Sequence, residues 1–389
     1  MEPTRPAEIR ALTGARALPP LLLVLYHYHE GHGYQHWRLF DVLVAKGYLW
    51  VEFFFILSGF ILIHVYGARV AALWTRKGYG DFLKTRLARL YPLHLATLLI
   101  VLLMVVFFRA LAHWGGYLSM YDVPGYHPRT DFMAFIYNLL LIQSWHVLPY
   151  LTWNGVSWFV SVEFFLCLIF PLFAWISQRG LATAAAMIAF GFAVLVALTN
   201  TVGHGLDITF DWGVVRGIGD FSIGVGLAMI YRAAMARGAN ALSVHAHSLA
   251  QAVAMFAFLY AIYHTGWSHH PADVWIVPGL TLLVFTLAFD RGWLAWLLQR
   301  RPLMRLGEWS FAVYMGQTTW LQFARFAEQR LYPNPAPQWT HAIHILEPVG
   351  LVIAAALWGW FLFRFVEKPA NAWLRTHWVG NSRRGAAAP

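Results

Sequence analysis

Apolar runs close to the length that crosses a lipid bilayer, about 20 residues, recur from the first to the last forty positions of this chain, and no other feature restricts its fold so tightly. Eleven such runs are legible, at 11–28, 48–66, 91–108, 132–145, 157–176, 181–199, 214–231, 249–264, 274–289, 311–326 and 343–365. A soluble fold of 389 residues has room for one or two cores and cannot hide eleven runs. Charged residues make up 12% of the chain, against about 25% in a soluble domain. The reading is an all-α, polytopic transmembrane helix bundle. No linker, low-complexity tract or internal repeat divides it, so residues 1–389 read as a single membrane domain. The one cysteine, Cys167, lies within an apolar run; it excludes an internal disulfide and a cysteine-ligated metal, and reads as a small core residue. No metal site is expected.

The net charge of +10 would suggest nucleic acid in a soluble protein. Here its placement argues for topology instead. Basic residues gather in four stretches, namely Arg69, Arg76, Lys77, Lys84, Arg86 and Arg89; Arg232 and Arg237; Arg291, Arg300, Arg301 and Arg305; and Lys368, Arg375, Arg383 and Arg384. The positive-inside rule puts all four in the cytoplasm, and nucleic acid is not an expected partner. That placement works only if one segment between Arg89 and Arg232 does not cross. The shortest run, 132–145, is flanked by polar stretches and reads as a re-entrant or surface helix. About ten crossing helices remain, with cytoplasmic tails at about 1–9 and 370–389. The first run lacks a small-residue cleavage site and is retained. The loops 29–47, 109–156, 200–213, 265–273 and 327–342 then face outward, carrying the aromatic residues of an outer interface. Trp153, Trp158, Trp267 and Trp275 there are either interfacial anchors or stacking platforms for sugar rings.

Ionisable groups at membrane depth are costly and mark function by default. Arg16 and His27 are eleven steps apart, about three turns and 16 Å along one helix, and would share a face. Taken singly they are a snorkelling arginine and an interfacial histidine. Glu52 and Glu163 both enter from the outer side at about the depth of His27. Either carboxylate could orient the imidazole, or each could be a structural partner of an interhelical donor. Arg86 and Arg89, three apart, share a helix face suited to phosphates, or form an ordinary basic cluster. Arg216 and Asp220 stand four apart and read as a pair with each other.

At these residues the chain resembles the acyltransferase-3 family of bacterial membrane acyltransferases. Arg16 with His27 is similar to the family's Arg, ten residues, His signature, and Arg86 with Arg89 to its Arg-x-x-Arg. Trp50-Val-Glu-Phe-Phe-Phe-Ile-Leu-Ser-Gly-Phe, Ser157-Trp-Phe-Val-Ser-Val-Glu, Ser310-Phe-Ala-Val-Tyr and Val366-Glu-Lys-Pro resemble four further motifs, in family order. The chain departs at Phe164, where the family often has a second Glu, and at Gln317, where it often has His. The hydrolase-like C-terminal extension that some members carry is not expected here.

The resemblance implies O-acylation of a carbohydrate, an exopolysaccharide or a lipid-linked oligosaccharide precursor, by acetyl-coenzyme A (or another acyl-coenzyme A) at the bacterial inner membrane. Membrane lipids and polysaccharide biosynthesis machinery are the implied surroundings. Arg16, Arg86 and Arg89 would hold the donor's phosphates. His27, oriented by Glu52 or Glu163, would act as general base or carry the acyl group itself. Ser58 or Ser161 would stabilise the oxyanion, and Trp158 would touch the acceptor. The competing class is a transporter of a lipid-linked sugar or acyl group; the absence of paired repeats with broken helices weighs against it.

Overall fold

The structure is a computed structural model, and it describes residues 7–29, 38–115, 129–203, 205–266, 270–331 and 337–378. Trp267, Arg383 and Arg384 lie outside the described residues, as do parts of both tails and of the five loops expected to face outward. Sixteen α-helices account for the described chain: α1 Arg10–Ala15, α2 Leu18–His29, α3 Arg38–Ala45, α4 Trp50–Tyr66, α5 Val70–Leu73, α6 Arg76–Gly115, α7 Phe132–Leu139, α8 Trp158–Ile176, α9 Leu181–Val202, α10 Gly213–Ala236, α11 Val244–Thr265, α12 Val277–Leu287, α13 Trp293–Leu298, α14 Arg301–Leu331, α15 Pro337–Leu362 and α16 Lys368–Trp378. The one β feature among the described residues is an isolated bridge between Arg129 and Thr152.

Seven helices are long and apolar enough to cross a membrane: Gly47–Leu73, Arg76–Gly115, Gly155–Ile176, Leu181–Val202, Gly213–Ala236, Val244–Thr265 and Pro348–Trp378. Their exposed faces are apolar at helical spacing. On α6, Leu99, Leu103, Val106 and Phe107 are all exposed, Leu103 to 69%. On α11 the same holds for Leu249, Val253, Phe256 and Tyr260. Such stripes would aggregate in water and are natural against lipid. The protein is therefore a polytopic membrane helix bundle. Helix α7, at 8 residues, is about 12 Å long, well short of the roughly 30 Å hydrocarbon core. The segment at 132–145 thus does not cross as a helix.

The first apolar run departs from the single helix expected of it. Helix α1 ends at Ala15 with Arg16 as its C-cap, and α2 begins at Leu18. Pro19 and Pro20 explain the break, since two successive residues without an N–H suit a first helical turn, where that donor has no intrahelical partner. The continuous helix assumed in setting Arg16 and His27 on one face is interrupted between them.

The chain falls into two compact units. The first comprises residues 1–75, 169–208 and 215–310. Its centre is the close packing of α4 on α10. A Cβ on Gly59 would lie 2.3 Å from the Phe221 carbonyl oxygen, and one on Gly224 would lie 2.0 Å from that of Ile56. Only glycine lets the two backbones approach so closely. The second unit comprises residues 76–168, 209–214 and 311–389. Its core joins Leu98, Val101, Met104, Val105 and Phe108 of α6 to Ala134, Leu148 and Trp153. Between α15 and α16 the helix widens into a π turn at Phe363–Glu367. Pro369 follows after Lys368, and its missing N–H accounts for the shifted ladder.

Candidate active site

In the first unit, the α4–α10 contact brings the first turns of both helices together. Arg216 and Glu52 are fully buried and form an ion pair at 2.7 Å. The Arg216 Nε also donates to both Glu52 oxygens, at 3.1 and 3.0 Å. Its Nη1 donates to the Ile208 carbonyl at 2.8 Å and its Nη2 to that of Tyr48 at 3.0 Å. The guanidinium thus ties α4, the turn before it and the chain before α10 into one clamp. The expected pairing of Arg216 with Asp220 is corrected: the bidentate partner is Glu52. Asp220, also fully buried, accepts no hydrogen bond from the described residues. Geometry explains the preference, because a carboxylate facing the guanidinium across the helix contact can accept two parallel bonds.

A second buried pair lies in the same unit. Lys46 bonds Asp273 at 2.6 Å, both side chains being fully buried, and the Tyr48 hydroxyl donates to the other Asp273 oxygen. Burial pushes the Lys46 ammonium below its usual range, and Asp273 opposes the shift. Neither Lys46 nor Asp273 is among the residues singled out from sequence. His27 lies in the last turns of α2, half-buried, with the Tyr26 ring 5.2 Å from its own. Arg16 caps α1, and Ser58 is half-buried on α4.

In the second unit, α6 and α8 run antiparallel. Tyr79 donates to the Leu168 carbonyl at 2.8 Å, and seven residues on, Arg86 donates to Glu163 at 2.7 Å. Glu163 is 4% exposed and Arg86 16%. Cys167, one turn beyond Glu163, is buried and unoxidised. Arg89 lies half-buried one turn past Arg86. Ser161 donates its hydroxyl proton to the Leu141 carbonyl at 2.8 Å and accepts from the Ser144 N–H at 3.2 Å. Its hydroxyl holds the segment after α7 and has no second proton to offer an oxyanion.

Around these residues lies a buried network of uncharged groups. His94 donates through Nε2 to the Asn138 carbonyl at 2.8 Å, which leaves Nδ1 an acceptor with no partner among the described residues. Asn154 donates to Thr97 and to the Met315 carbonyl. Tyr314 donates to the Val156 carbonyl at 2.8 Å. Gln143, Thr152, Ser157 and Trp158 border a shallow, partly open recess. Of these, the sequence reading had singled out Trp158 alone; the available signal for Gln143 was its place at the polar end of the 132–145 run.

The family model described as "Acyltransferase domain" matches residues 9–370, nearly the whole chain. The chain belongs to the acyltransferase-3 family. Among curated relatives, "Acyltransferase MdmB" of Streptomyces mycarofaciens is 27% identical over 411 residues, covering all of this chain and 96% of that protein. "Protein 2 in picA locus" of Rhizobium radiobacter is 36% identical over 98 residues, a quarter of this chain and 46% of that protein. No solved structure matches significantly. As an acyltransferase-3 protein the chain is a membrane enzyme that transfers acyl groups other than aminoacyl groups. Three of the family's motifs meet in the second unit: Arg86 of Arg-x-x-Arg bonds Glu163 of the Ser-Val-Glu segment, and Tyr314 of a closing motif bonds the backbone two residues before Trp158. The acidic place of the acyltransferase-3 Phe-Phe segment, Glu52, is held by Arg216, which none of the matched motifs contains. Gln317, where the family often has His, is buried on α14.

Proposed function

We propose that this acyltransferase takes an acetyl or other short acyl group from cytoplasmic acyl-coenzyme A and places it on a carbohydrate hydroxyl at the outer face of the bacterial inner membrane, the acceptor being an exopolysaccharide or its lipid-linked precursor. The observation that carries the donor half is helix α6. It is 40 residues long, about 60 Å, roughly twice the hydrocarbon thickness. Its first part bears Arg76, Lys77 and Lys84 exposed and Arg86 and Arg89 half-buried, before the apolar part begins. A basic helix end at the cytoplasmic surface suits a polyanionic donor and agrees with the positive-inside rule. Both chain ends are then cytoplasmic.

Arg89, with Arg86, holds the donor's phosphates. His27 removes the acceptor hydroxyl's proton as that oxygen attacks the thioester carbonyl. The tetrahedral carbon then expels coenzyme A thiolate, which recovers the proton from His27, leaving an ester and a free thiol. Glu52 and Glu163, each bonded to an arginine, act by positioning their helices, and Ser58 is the remaining hydroxyl for the oxyanion. Trp158 meets the acceptor.

Sealed inner-membrane vesicles of both orientations test this directly. Labelled acetyl-coenzyme A supplied outside inverted vesicles, whose cytoplasmic face is outward, should be consumed by this protein, and outside right-side-out vesicles it should not. Equal consumption in both, or none in either, would overturn the proposal.

A further inference from the structure

Lys46 and Asp273 form a fully buried ion pair in the first unit that no step of the acyl transfer uses. Asp273 is itself a fixed point. It lies in the short helical turn Pro271–Ile276, where its Oδ2 accepts the His270 N–H at 3.0 Å while His270 Nδ1 accepts the Ala272 N–H at 3.0 Å, a reciprocal cap. From there the carboxylate reaches a segment 227 residues away in sequence, accepting from Lys46 Nζ at 2.6 Å through one oxygen and from the Tyr48 hydroxyl through the other.

Gly47 stands between those two donors and is pressed on the last turns of α2. A Cβ on Gly47 would lie 2.3 Å from Tyr26 Cβ, an approach that only glycine permits. The Tyr26 and Tyr48 rings meet at 5.8 Å, both side chains are buried, and the Tyr26 hydroxyl donates to Asp207 at 3.4 Å. Tyr26 immediately precedes His27, and their rings lie 5.2 Å apart. One carboxylate thus grips the turn 46–48 on both sides of the glycine that abuts the neighbour of His27. The Tyr48 carbonyl, bonded by Arg216 at 3.0 Å, ties the same turn to the Glu52 clamp.

Taking two charges out of water is costly, and apolar residues of similar volume often stabilise a fold as well as a buried ion pair does. What the pair adds over an apolar contact is direction, because two bonds to one carboxylate fix where the turn lies against α2. We infer, resting on His27 as the general base proposed above, that Asp273 is a positioning residue for that base, acting through Lys46, Tyr48 and Gly47 on the end of α2. A small misplacement of a reacting group, about 1 Å, can cost about 10²-fold in rate, so a lever of this kind acts on turnover rather than on donor binding.

The test is a double-mutant cycle in the full-length protein. Tyr48→Phe, Asp273→Asn and His27→Ala are made singly, and the first two are also combined with His27→Ala. Consumption of saturating labelled acetyl-coenzyme A is read in inverted inner-membrane vesicles, per amount of folded protein and above vesicles without it. The acetyl-coenzyme A dissociation constant is read in nanodiscs. Tyr48→Phe removes a single hydroxyl and leaves the ion pair in place, so it keeps the test open if Asp273→Asn fails to fold. Tyr48→Phe should slow consumption about tenfold and Asp273→Asn by more, with dissociation constants within about twofold of wild type. In the His27→Ala background neither should slow it further, since a displaced base and an absent one are the same loss. A wild-type rate for Tyr48→Phe, or slowing by the same factor with and without His27, would overturn the positioning role and leave the general base standing. Donor binding weakened tenfold in Tyr48→Phe would overturn it too, by moving the effect to the donor. A wild-type rate for His27→Ala would remove the general base and the positioning role together.

Discussion

Arg216 is a fully buried guanidinium whose charge is balanced by Glu52. Removing one partner of such a pair leaves an uncompensated charge, at a cost of about 3–5 kcal/mol. Glu52→Gln should therefore lower thermal stability in detergent sharply, and an unchanged melting temperature would show that the clamp does not hold α4 to α10. Ser161→Ala separates two roles for a matched motif residue. If Ser161 only anchors Leu141, the variant costs about 1 kcal/mol of stability and keeps its turnover. Loss of a true oxyanion donor would instead cost about 10²–10³-fold in kcat. Glu52 and Glu163 were legible in the sequence because a carboxylate in an apolar run is conspicuous. Their partners were not, since Arg216 is 164 residues from Glu52 and Arg86 is 77 from Glu163, and a local i to i+4 rule pointed Arg216 at Asp220 instead. Gln143 and Thr152 escaped for the opposite reason: a neutral amide or hydroxyl barely disturbs a hydropathy pattern.

At the level of elements, hydropathy located most helices well because lipid demands long apolar runs. It misjudged continuity. Pro19 and Pro20 divide the first run into α1 and α2, and the basic stretch after Arg76, outside every apolar run, is the opening of the 40-residue α6. Charge alone does not end a helix, and single interior prolines are tolerated at Pro92 of α6, Pro171 of α8 and Pro348 of α15, whereas the adjacent pair Pro19-Pro20 falls where a helix starts. Close packing of α4 on α10 was hinted at by Ser58-Gly59 and is borne by Gly59 and Gly224. Gly224→Val should destabilise by about 1–3 kcal/mol or more through overpacking. Gly180→Ala, where a Cβ meets nothing within 4 Å, should be close to neutral in the same thermal assay. Equal effects would mean that the close approach does not govern stability.

For the whole molecule, the central claim is that a basic helix end binds the donor while His27 performs chemistry. Arg86 is bonded to buried Glu163, so Arg86→Ala should damage stability together with binding, whereas Arg89→Ala should act mainly on binding. The most direct test is acetyl-coenzyme A binding and acetyl transfer by the protein in nanodiscs, for wild type, Arg89→Ala and His27→Ala side by side. The account predicts that wild type binds, that Arg89→Ala binds about tenfold more weakly with a shallower salt dependence, and that His27→Ala binds normally yet transfers at least about 10²-fold more slowly. Folded wild-type protein that fails to bind acetyl-coenzyme A, or His27→Ala that transfers at the wild-type rate, would contradict it.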